Sequence, residues 1–143
     1  MREGAGRTLA QTMSLLIGAT LIAVGVLGFI FGGSDFAAGS DVQGDEFIVF
    51  EVNGWHNVVH LATGGLLVLM AGTAASAVTG LMAFGLAYVA VTVWGFVDGN
   101  DVVSLIPVNT ADNWLHLALA VGALAVVLFA GGLLASARRR EPR

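Results

Sequence analysis

The chain has 143 residues, enough for one domain, and is 57% hydrophobic but only 11% charged. A water-soluble domain carries about 25% charged residues, so a surface solvated throughout by water is excluded for a chain this poor in polar groups. Cysteine is absent, which rules out disulfides, thiolate metal sites and cysteine nucleophiles. The net charge of −4 is segregated: all six arginines stand at the ends (Arg2, Arg7, Arg138, Arg139, Arg140 and Arg143), and eight of the ten acids lie between them.

Leu9 to Phe31 is an uncharged apolar run. At about 1.5 Å per residue it spans the ~30 Å hydrocarbon core. It exceeds the roughly 7–15 residues of a secretory h-region and reads as a retained first helix. Residues 32–52 form a glycine-containing outer loop with five acids, in which Phe47 to Phe50 would lie against the membrane surface. A second helix is expected over about 54–74, a charge-free turn at Ala75–Thr79, a third helix over about 80–97, a short acidic outer loop at 98–107 and a fourth helix over about 110–135. Spanning β-strands need only ~9–11 residues and alternate apolar with polar, which these runs do not.

The expected architecture is therefore an all-α, integral membrane four-helix bundle. Basic residues flanking membrane helices stay cytoplasmic, so the arginines at both ends of an even number of helices place the N and C termini in the cytoplasm. The protein is then a multi-pass component of the cell membrane with the bilayer as its main partner. Trp55, Trp94 and Trp114 fall near the outer boundary, as an aromatic belt would.

Two segments repeat. Val52-Asn53-Gly54-Trp55-His56-Asn57-Val58-Val59-His60-Leu61 aligns with Val108-Asn109-Thr110-Ala111-Asp112-Asn113-Trp114-Leu115-His116-Leu117 at a constant offset of 56. The preceding helices align at an offset of 67, with Gly28-Phe29 matching Gly95-Phe96 and Gly18 matching Gly85. The chain thus reads as two parallel-repeat helical hairpins, related by an axis along the membrane normal. Asn53 and Asn109 fall at helix starts, where asparagine is a favoured N-cap. Asp112 follows at N3, where a carboxylate suits the helix dipole.

All three histidines belong to this repeat. His56 and His60 share a helix face, as do Asp112 and His116, with Asn57 and Asn113 beside them. His60 and His116 lie about two turns inside their helices, where polar side chains must face the bundle interior and find partners. Three readings follow. The favoured one is a hydrogen-bonded network that pins the bundle. Next is a metal centre in which His56, His60, Asp112 and His116 hold zinc, iron or copper, supported by Asn53, Asn57, Asn109 and Asn113. Third is haem held between His60 and His116.

Catalysis has little support, because no nucleophile accompanies the His/Asp spacing and no Gly-rich phosphate loop is present. Transport is weakly supported, since no ionisable residue lies mid-span. The terminal arginines suit anionic lipid better than nucleic acid. A homo-oligomer, or an accessory subunit packed by its apolar faces in a larger membrane complex, remains open.

The paired motifs, Val-Asn-x-x-His-Asn-x-x-His-Leu and Pro-Val-Asn-x-x-Asp-Asn-x-Leu-His-Leu, with the Gly-Phe endings of helices one and three, resemble the domain-of-unknown-function family 4383, small four-helix membrane proteins. The resemblance covers nearly the whole chain. It implies a topology and no established activity, with His56, Asn57, His60, Asp112, Asn113 and His116 at the motif positions.

Overall fold

The computed structural model describes residues 6–40, 42–99 and 101–140, with side chains as far as Gly131. Four helices stand among the described residues: α1 (Leu9–Phe31), α2 (Gly54–Met70), α3 (Ala74–Asp98) and α4 (Thr110–Arg140). Three stretches are long and apolar enough to cross a membrane: α1, α3 and Thr110–Gly131 of α4. They mark a membrane protein. The 17 residues of α2 reach about 25 Å at the helical rise.

Each helix start is set by a side chain that answers the free amides of the first turn. Thr8 and Gln11 form a capping box for α1. Asn53 Oδ1 accepts from the His56 amide at 2.9 Å to open α2. Asn109 Oδ1 does the same for the Asp112 amide at 3.0 Å to open α4. The charge-free turn expected at Ala75–Thr79 is helix instead: α2 stops at Met70 and α3 starts at Ala74. Thr73 and Ser76 form a second capping box, and Ser76 Oγ also donates to the Met70 carbonyl at 2.7 Å. These bonds hold the reversal several residues earlier than the apolar pattern suggests. Thr73→Ala should therefore lower stability by about 0.5–2 kcal/mol, read as a lower midpoint of unfolding in detergent.

The outer-loop segments are not plain coil. β1 (Asp45–Phe47) pairs antiparallel with β2 (Phe50–Val52), and β3 (Asp101–Val102) with β4 (Ile106–Pro107). Each small hairpin leads directly into a capping asparagine. The basic ends that carry the orientation argument lie largely outside what is described: Arg2 and Arg143 are not covered, and of Arg138–Arg140 only the helical backbone is.

α1 packs antiparallel on α2 and α3 on α4, with α1 and α3 in contact across one diagonal of the bundle. The buried stripe of α1 (Ala10, Ser14, Ile17, Gly18, Leu21, Gly25 and Gly28) is mostly small. Small residues let membrane helices approach closely. A Cβ on Gly18 would stand 2.7 Å from the Gly64 carbonyl, and one on Gly64 would stand 2.6 Å from the Gly18 carbonyl. The larger core side chains are Leu67, Leu81, Phe84 and Tyr88, closed by Ala77, Ala120 and Ala123.

Candidate functional site

The hairpin end of the bundle is tied together by side-chain amides. Asn53 caps α2 with its oxygen and donates Nδ2 to the Leu105 carbonyl in the β3–β4 turn at 2.9 Å. Asn109 caps α4 in the same way and donates Nδ2 to the Val49 carbonyl in the β1–β2 turn at 2.9 Å. Each helix cap therefore holds the turn of the other hairpin. One turn deeper, Asn57 donates to the Gly33 carbonyl at 2.7 Å.

Gly28 lies against the amide of Asn57, and Gly95 against the amide of Asn113, so closely that a Cβ at either glycine would overlap the amide oxygen. Both oxygens are buried without a conventional partner. They lie along the glycine Cα–H direction, the geometry of a weak Cα–H···O bond.

The candidate residues divide here. His56, His60 and His116 are buried and converge: one ring nitrogen from each lies within 4.8 Å of the other two. Ring centroids are 4.6 Å apart for His56–His60, 5.9 Å for His56–His116 and 6.3 Å for His60–His116. Asp112 is turned to other work. Its Oδ2 accepts from the Asn109 amide at 2.9 Å and the Glu51 amide at 3.0 Å, which closes the α4 capping box and anchors β2. Asn53, Asn57, Asn109 and Asn113 serve caps, turns and helix contacts.

His56 Nδ1 lies 2.9 Å from the Glu51 carbonyl oxygen. A carbonyl only accepts, so Nδ1 carries the proton and Nε2 keeps its lone pair free. The backbone of Glu51 is thus held from both sides, its carbonyl by His56 and its amide by Asp112. The repeat pattern pointed to the side chains but not to this shared backbone partner.

Three ring nitrogens, His56 Nε2, His60 Nδ1 and His116 Nδ1, are buried with no hydrogen-bond partner among the described residues. Leaving a buried polar atom unpaired costs about 1–3 kcal/mol. Three at one place form a donor set suited to a transition ion. An imidazole that donates its far N–H to a backbone carbonyl, as His56 does, is the usual arrangement of a metal-ligating histidine.

Two further features were not legible in the sequence. Tyr88 of α3 stands edge-on to His116 with ring centroids 5.2 Å apart. A cavity of about 190 Å³ borders His60 and His116, walled by Leu16, Thr20 and Val24 of α1 and Leu115 and Leu119 of α4. No helical periodicity announces it, because Thr20 is the one polar residue that α1 contributes to its wall.

Comparison with curated proteins and with solved structures gives no match. The family model described as domain of unknown function (DUF4383) matches residues 11–129, from the first turn of α1 into the later part of α4, and the chain belongs to that family.

Proposed function

We propose that this protein is a four-span component of the cell membrane, with cytoplasmic termini, whose three histidines bind one transition-metal ion at the outer side of the bundle. The observation that carries the reading is that His56, His60 and His116 bring one ring nitrogen each to within 4.8 Å of the other two, in rings that each also leave a buried nitrogen without a partner among the described residues. A purely structural network would pair these atoms.

Tetrahedral zinc with Zn–N distances of about 2.0–2.1 Å needs ligand nitrogens about 3.3 Å apart, which small side-chain rotations can reach from the present spacing. Three histidines leave a fourth position open, as in catalytic rather than structural zinc sites. Iron and copper accept the same donors. Haem suits the site less well, because the His56 ring stands 4.6 Å from that of His60 and 5.9 Å from that of His116, where a macrocycle would need room.

Support for the membrane arrangement comes from the strongly exposed Leu69, Val97 and Leu128, which need lipid around them, and from Trp55, Trp94 and Trp114 at the hairpin end. The crossed Asn53 and Asn109 bonds and the paired Gly–Asn contacts support two hairpins related as parallel repeats.

The test is metal content. Protein purified in detergent and exposed to zinc, copper or iron should retain about one ion per chain, and the His60→Ala/His116→Ala protein should retain none. Wild-type protein that holds none of the three ions, or a double variant that holds as much as wild type, would overturn the reading.

A further inference from the structure

The cavity beside the histidines lies at the height of the middle of α1 rather than at the hairpin end. Its α1 wall, Leu16 to Val24, surrounds the midpoint of the 23-residue helix. His60 and His116 sit seven residues beyond the capping asparagines of α2 and α4, about 10 Å below the hairpin end. The direct route from that end is blocked by Val52, Asn53, Pro107 and Val108, all fully buried. The sides are open instead: Leu16, Thr20 and Leu115 line the cavity and are exposed on the flank of the bundle, between α1 and α4.

Resting on the metal reading, we infer that the open coordination position is served through this flank by a small, uncharged, lipid-soluble ligand bearing one nitrogen or oxygen lone pair. The rings of His60 and His116, both more than nine-tenths buried, border the cavity, so a molecule inside it lies against two of the three candidate ligands. A dry apolar cavity of about 150 Å³ accepts a benzene-sized guest, and the 190 Å³ here sets the same scale. Apart from the Thr20 hydroxyl and the two imidazoles, the wall is aliphatic, which disfavours ions and favours neutral molecules already dissolved in lipid.

Cobalt(II)-loaded protein in lipid nanodiscs provides the test, with pyridine as the neutral probe and azide as the charged one. Pyridine should shift the visible cobalt bands, and azide at equal concentration should not. Thr20→Trp or Leu16→Trp, both at exposed mouth positions and so compatible with folding, should load cobalt normally yet need at least tenfold more pyridine for the same shift. Cobalt bands that ignore pyridine, respond to azide alone, or respond to pyridine in both tryptophan variants at the wild-type concentration would overturn the lateral route while leaving the metal reading intact. Protein that takes up no cobalt overturns both.

Discussion

Alanine in place of Gly28 or Gly95 should cost at least about 1–3 kcal/mol, the range for overpacking a tight contact. The added methyl would occupy the position of the Asn57 or Asn113 amide oxygen. The Asn57 amide cannot yield freely. Asn57 is fully buried, and its Nδ2 is the donor to the Gly33 carbonyl, so turning the side chain aside breaks that bond as well as the Cα–H···O contact. Gly65 and Gly122 are the controls, because a methyl there meets nothing within 4 Å. Alanine at those two positions should leave stability unchanged or raise it, since alanine is the better helix former by about 1 kcal/mol. Unfolding in mixed detergent reads all four variants, and equal midpoints for Gly28→Ala and Gly65→Ala would remove the glycine–asparagine contact from any account of how these helices pack.

The second large effect separates Asp112 from the histidines. Asp112→Ala leaves the half-buried amides of Glu51 and Asn109 without their acceptor. At about 1–3 kcal/mol for each orphaned donor, toward the low end because both bonds are only half-buried, the loss should be about 2–3 kcal/mol of stability. Metal content at a temperature where the variant remains folded should stay at the wild-type level, because Asp112 stands outside the group of converging imidazole nitrogens proposed to hold the ion. The His60→Ala/His116→Ala protein should show the opposite pattern, with the ion lost and the caps intact. An Asp112→Ala protein that keeps its midpoint but loses its ion would restore the aspartate to the ligand set and take the capping argument down.

The contrast between Asp112 and His56 shows where sequence reading reaches its limit. The two occupy matching positions in the repeat, and matching positions suggest matching roles. A carboxylate can only accept and an N–H-bearing imidazole can donate, so the same backbone residue, Glu51, meets one through its amide and the other through its carbonyl. Chemical type, not register, decided which of them stayed near the cluster. His56 and His60 were readable together because i, i+4 spacing fixes a shared face. That His116 joins them depends on how α2 and α4 sit in the bundle, which no local pattern carries.

Helix length and apolarity were the most legible features, since 23 uncharged residues in α1 leave few alternatives. The α2–α3 reversal was misplaced because Thr73 and Ser76 are small and neutral and blend into an apolar sequence, although their spacing is that of a capping box. The two hairpins have strands of only two or three residues, too short for an alternating pattern to show.

The crossed asparagine bonds bear on how the molecule is made. When the segment that becomes α2 leaves the ribosome, Leu105, whose carbonyl receives the Asn53 amide, has not yet emerged. Asn109, which must clasp the turn at Val49, comes later still. The first half thus enters the bilayer with its latch open, and only the arrival of the second half fastens both ends at once. Neither half is a finished unit, and the roof over the histidines closes last.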